Sequence, residues 1–285
     1  MFGVYRKLRI ETLESRQMMA VEITRSGDTL EIRETEGGAE DYVEIFSLEE
    51  QRFRVLANVD GDRQLETRNS RNITKISIEL GGAEDTVYVH DIQGADGLET
   101  LDIDMRGGSD LVYLDRVRLD NLNIDSGIQF DEVYMSLVSV DEETNILTGD
   151  SSDRIFLGFR PTYREGFGPG VSETFFTSST FGFAPGRGSQ FNSFRLDTDV
   201  GAETVRIRDA RFSGQVEMLL GGSNDSLEID GTVFLDERVL IDGAISGPDD
   251  RIAGGNNTLR DDDDEEFEIR NFESDTFELE FQRRG

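Results

Sequence analysis

The sequence predicts an all-β fold: a right-handed parallel β-helix, or β-solenoid, of three-strand coils of about 22 residues with one long corner insertion. Three observations predict it. A short phrase, an aspartate followed by an apolar-any-apolar triplet, returns at Asp85-Thr86-Val87-Tyr88-Val89, Asp110-Leu111-Val112-Tyr113-Leu114, Asp131-Glu132-Val133-Tyr134-Met135 and Asp153-Arg154-Ile155-Phe156-Leu157. The steps of 25, 21 and 22 residues are too long for a helix or strand period, so the repeating unit is a whole supersecondary coil. Within the coil at Asp110, apolar pairs fall at Val112 and Leu114, Val117 and Leu119, and Leu122 and Ile124. Each pair puts two side chains on one face of a short strand, so one coil has three strands with every pair pointing inward. Glycine and aspartate punctuate these strands as turn residues do.

In chain order, residues 1–20 form a targeting or capping segment. Tyr5 to Ala20 holds good helix formers with apolar residues at mixed spacing, which suits a short amphipathic helix covering the open end of a coil stack. Residues 21–285 read as a single β-solenoid domain. The phrase starts at Gly27-Asp28 and Asp41-Tyr42-Val43. Residues 46–80 are less regular and span enough chain for one intervening coil, with strand candidates at Phe53–Leu56 and Ile73–Leu80. Residues 158–194 read as the insertion: they carry Pro161, Pro169 and Pro185, many glycines, and eight of the 19 phenylalanines. Coils resume at Val200-Gly201-Ala202-Glu203, with Glu in the Asp position, and at Asp225. The acidic run Asp261–Glu266 reads as a solvated loop.

Composition narrows the function classes. A formal net charge of -31 repels phosphates and anionic membrane surfaces, which argues against nucleic acid as a partner. No apolar run approaches the ~20 residues of a membrane span. The absence of cysteine removes disulfides and thiolate metal sites.

Two columns follow from stacking the coils in register. Asp85, Asp110, Asp131 and Asp153 line one corner, and Asp225 and Asp250 continue it. Carboxylates about 5 Å apart repel by roughly 1 kcal/mol per pair even in water. The offset comes either from backbone N–H groups in the turns or from Ca²⁺, making these aspartates the candidate metal ligands. Gly81-Gly82-Ala83-Glu84-Asp85-Thr86-Val87 and Gly221-Gly222-Ser223-Asn224-Asp225-Ser226-Leu227 resemble the RTX calcium repeat, without its third glycine and one position shorter. That resemblance is what implies calcium as a cofactor. The second column is aromatic: Tyr88, Tyr113, Tyr134 and Phe156 point outward from successive strands. With Arg160 and Arg164 of the insertion, they form the candidate surface for a glycan or protein partner. Alternatively, the Phe-rich insertion folds back over the aromatic column as structural cover. His90, the single histidine, reads as an outward strand residue without a nucleophile motif beside it.

The segment Leu8-Arg9-Ile10-Glu11-Thr12-Leu13-Glu14-Ser15-Arg16-Gln17-Met18-Met19-Ala20 resembles the N-terminal motif of large exported planctomycete proteins. The resemblance implies an extracellular or cell-surface location without a classical signal peptide. The expectation is a structural or adhesive solenoid, its corners held by turn-capping or by calcium, that binds carbohydrate or a cell-surface protein. The alternative is a polysaccharide lyase or hydrolase of the parallel β-helix type, for which Arg116, Arg118 or Arg154 would serve beside a bound cation. That alternative rests on fold analogy.

Overall fold

The computed structural model describes residues 21–35, 38, 40–48, 52–59, 62–69, 72–93, 97–158, 188–235, 238–243, 251–261 and 267–283. These residues are all-β, in one continuous curled sheet. The chain opens with β1 (Val21–Ser26), β2 (Thr29–Glu34), β3 (Tyr42–Leu48), β4 (Arg52–Val59) and β5 (Asp62–Asn69). Next come β6 (Lys75–Glu79), β7 (Thr86–Ile92), β8 (Thr100–Asp104), β9 (Leu111–Asp125), β10 (Glu132–Ser136), β11 (Ser139–Leu147) and β12 (Arg154–Leu157). After residues 159–187 follow β13 (Gln190–Asp197), β14 (Thr204–Arg208), β15 (Arg211–Phe212), β16 (Val216–Leu219), β17 (Ser226–Asp230), β18 (Val233–Phe234) and β19 (Val239–Asp242). The last strands are β20 (Arg251–Asp261), β21 (Phe267–Arg270) and β22 (Glu273–Arg283).

Parallel pairing sorts the strands into three ladders. The first aligns Val43, Val87, Val112, Val133, Ile155, Val205, Leu227 and Ile252 across successive strands. The second, shorter ladder aligns Leu119, Val140, Phe191, Phe212, Phe234 and Leu259. The third aligns Ile32, Ile78, Ile103, Ile124, Ile146, Leu196, Met218, Ile241 and Ile269. In this third ladder alternation along each strand turns the residues to one side, and those from Ile32 to Ile241 are at most 2% exposed. The inward pairs at Val112, Val117 and Leu122 lie in the common core as the sequence predicts. In the second ladder, phenylalanine replaces Val and Leu. Phe191, Phe212 and Phe234 stack with ring centroids 5.5 and 5.3 Å apart, filling the core there with aromatic contacts.

Two regions differ from the sequence expectation. Residues 46–80 do not build an intervening coil. Instead β3, β4 and β5 form an antiparallel meander, with Val43 opposite Ala57 and Leu56 opposite Leu65. Phe53 and Val55 of β4 are buried, so short-range alternation was legible while strand direction was not. The meander has a use: β4 covers the free edge of β3, as β1 covers that of β2, so antiparallel strands cap the first coil. The expected capping helix in residues 1–20 lies outside the described residues. The second difference concerns residues 190–194, which the sequence reading placed in the insertion. β13 pairs with β11 from Gln190 onward, and Phe191 and Phe194 are core residues.

The corners turn through left-handed backbone. Arg106, Gly127, Gly149, Asp199 and Gly221 share one corner, all with positive φ. Gly127 is special for its close approach: a Cβ there would sit 2.1 Å from the Arg106 carbonyl oxygen of the preceding coil. Gly127→Ala is therefore expected to destabilise by about 2–3 kcal/mol through forced separation of two coils. Urea unfolding checks this, and a loss below about 0.5 kcal/mol would show that the corner gives way freely.

Candidate functional sites

The aspartate column forms where each first-ladder strand begins. Asp85, Asp110, Asp131 and Asp153 are all at most 2% exposed. Each carboxylate caps the coil before it. Oδ1 of Asp85 accepts the Asp41 N–H at 2.8 Å, and Asp110 accepts that of Asp85 at 2.7 Å. Asp131 accepts from Asp110, and Asp153 from Asp131, both at 2.8 Å. Asp225 repeats the contact with the Glu203 N–H at 3.0 Å. The residue whose amide is capped by one carboxylate thus supplies the next, and a run of corner N–H groups with no ladder partner is satisfied by side chains.

The second oxygens are different. Oδ2 of Asp85 and of Asp110 is buried without a hydrogen-bond partner. Burial is the main cause that pushes the column's carboxyls upward: Asp131 to about 8, Asp110 to about 7, Asp85 and Asp153 to about 6. Backbone donors offset part of this at every position, helped by the hydroxyls of Ser126 at Asp131 and Thr148 at Asp153. Burial also pushes Glu203 up, and the neighbouring Asp225 carboxyl adds to this.

These contacts show the carboxylates acting as caps on backbone N–H groups. Calcium takes six to eight oxygens, whereas Asp85, Asp110, Asp131, Asp153 and Asp225 each spend Oδ1 on a backbone N–H. Among the described residues no group of three acidic or histidine side chains converges as metal ligands would. Asp250 lies outside the described residues.

The aromatic strip is in register: Tyr88 pairs with Tyr113, Tyr113 with Tyr134, and Tyr134 with Phe156. Rings of Tyr88 and Tyr113 stack at 4.8 Å and 7°, those of Tyr134 and Phe156 at 4.8 Å and 9°. The tyrosines face away from the main core yet are buried, with exposures of 9%, 7% and 3%, and form a second apolar cluster with Leu111 and Phe156. A buried stack of this kind packs strand against strand. Arg160 and Arg164 lie outside the described residues.

The sequence reading missed the surroundings of His90. Its Nδ1 is 2.9 Å from Asp91 Oδ2 and its Nε2 is 3.0 Å from Glu44 Oε1. Asp91 also accepts two hydrogen bonds from Arg116, which hold its carboxyl down at about 2. A signal existed for half of this network, because the 25-residue step carries Asp91 onto Arg116. Glu44 was hidden, since the intervening meander breaks the repeat period.

Beside this network runs a polar groove of about 410 Å³, lined by Gln93, Arg116, Arg118, Ser139, Asp141 and Gln190. A neighbouring cavity shares Gln93, Arg118 and Asp141. Both arginines are engaged by carboxylates, Arg116 by Asp91 and Asp115, and Arg118 by Asp141 at 2.8 Å. The groove therefore presents fixed donors and acceptors with much of their charge already compensated. Arg154 is likewise tied, to Glu132 at 3.0 Å.

No curated protein and no solved structure matches the chain. A family model described as Planctomycete extracellular matches residues 6–23, the segment leading into β1, and on that similarity the protein is extracellular.

Proposed function

We propose that this extracellular chain is a structural or adhesive module: a right-handed parallel β-solenoid whose three ladders close around one core and present a polar surface to carbohydrate or a cell-surface protein. The observation that carries the reading is how the polar side chains are used. Besides the aspartate column, Asn123 bonds Asp102 at 2.7 Å and Asn145 bonds Asn123 at 3.0 Å, one coil to the next. Arg195 reaches Glu217 at 2.6 Å, and Arg206 reaches Glu228 at 3.2 Å, again across adjacent coils. Hydrogen bonds spent between coils stiffen a rod, the property a scaffold needs.

The groove at Arg118 and Asp141 is the preferred contact surface. Pre-oriented guanidinium, carboxylate and amide groups suit sugar hydroxyls, because little side-chain freedom is lost on binding. A glycan array probed with the untagged protein, in excess calcium and in excess chelator, tests the proposal. Binding is expected in both conditions and to fall about tenfold or more in Arg118→Ala, a loss of about 1.4 kcal/mol. Binding that survives this change removes the groove from the reading. Release of unsaturated uronate absorbance from an acidic polysaccharide would replace the adhesive reading with the lyase alternative.

A further inference from the structure

The surroundings of His90 define its protonation state by geometry. A neutral imidazole has one N–H donor and one bare nitrogen. Here both ring nitrogens lie within hydrogen-bond distance of carboxylate oxygens, Asp91 on one side and Glu44 on the other. An ionised carboxylate only accepts, so both contacts are favourable only when both nitrogens carry protons. The ring faces agree: His90 stacks on Tyr88 at 4.3 Å and on Phe46 at 4.9 Å, with interplanar angles of 20° and 19°. Aromatic faces attract a cation. The imidazolium thus has acceptors in its plane and π-faces above and below.

The contacts come from several strands. Glu44 and Phe46 belong to β3, which leads into the meander. Tyr88, His90 and Asp91 belong to β7. On β9, Asp115 is the register partner of His90, and its neighbour Arg116 holds both Asp115 and Asp91. From β4, the Arg54 guanidinium lies 5.7 Å from the Phe46 ring centroid.

We propose that His90 is a proton-dependent rivet that fastens β3 and its meander to the stacked ladder, and that loss of one proton loosens this end of the molecule. Burial acts against the charged ring, but the hydrogen bonds to Glu44 and Asp91 outweigh it and move the histidine above its ordinary value. Stability from such a group is complete below its unfolded-state value and is lost as pH rises through the folded one. The rivet therefore opens on the alkaline side.

Because His90 is the single histidine, ring NMR of the untagged chain follows it alone. Its titration midpoint is expected above the ordinary value of about 6.5. Amide exchange in Tyr42–Leu48, corrected for the intrinsic rate and referenced to Val205–Ile229, is expected to lose about tenfold protection across that midpoint. The reference strands lie away from His90, and because the Asp85 carboxyl also caps β3 at Asp41, comparison with His90→Gln separates the histidine from that carboxyl. In His90→Gln the part of this step centred on the histidine midpoint should vanish, leaving only what Asp85 contributes near its own value of about 6. A midpoint at or below about 6.5, or the same step in His90→Gln, overturns the proposal. Should that variant fail to fold, Glu44→Gln serves instead: the midpoint is expected to fall by about one pH unit, and an unchanged midpoint is the overturning result.

Discussion

The melting temperature is expected to rise by about 10 °C as pH is lowered from about 8.5 to about 5. Most proteins lose stability on such a change only when paired carboxylates become protonated; here the buried aspartates are raised, so the sign reverses. Asp85, Asp110, Asp131 and Asp153 move from 3.8 to about 6, 7, 8 and 6 in the folded chain. The folded state thus binds more protons than the unfolded state between those values. Stability is highest below the unfolded value of 3.8, declines as pH rises through the folded values, and levels off above the highest of them, about 8 for Asp131. A carboxyl raised by one pH unit contributes about 1.4 kcal/mol at most, and local relaxation reduces the sum to several kcal/mol. Asp91, held at about 2 by Arg116 and His90, works in the opposite direction but only in stronger acid. Differential scanning calorimetry across this range decides the matter. A melting temperature that is flat or falls on acidification would mean that water or cations reach the column and keep it ionised.

Asp131 is the position where substitution should have the largest effect. Asp131→Ala removes the acceptor for the buried Asp110 N–H and leaves a gap at the corner, an expected loss of about 2–4 kcal/mol. Asp131→Asn retains an Oδ1 for the same N–H and mimics the protonated acid in shape. Near pH 6 it is expected to stay within about 1 kcal/mol of the parent and to flatten the pH dependence, since the carboxyl with the highest value is gone. The chain already uses an amide this way at Asn257, which is 1% exposed. Its Oδ1 accepts the Thr232 N–H at 3.1 Å while its Nδ2 donates to the Ile229 carbonyl at 2.8 Å. Urea unfolding of both variants at about pH 6 and about pH 8.5 separates capping from charge. Equal losses in the two variants would show that ionised carboxylate, rather than an acceptor in that place, holds the corner.

How far the sequence reaches can be judged from particular residues. Val112 with Leu114 and Leu122 with Ile124 were legible because a parallel stack repeats its inward pairs at every coil, and this repetition survives in one dimension. Asp110 and Asp131 were legible as a corner column for the same reason. The donors that face them were not, because backbone N–H groups carry no sequence label. Phe191 looked like part of the insertion because its neighbours are rich in glycine and phenylalanine; only its pairing with Val140 identifies it as core.

The sequence by itself determined the all-β class, the spacing of the parallel strands, the acidic character and the resemblance at residues 8–20, all of which are expressed in residue spacing or composition. Tertiary structure decided strand direction in the meander, the burial of the tyrosines, the burial and capping contacts of the aspartate column and the setting of His90. These depend on which groups meet across coils and how much water is excluded. A one-residue change of register leaves composition untouched but alters every such contact.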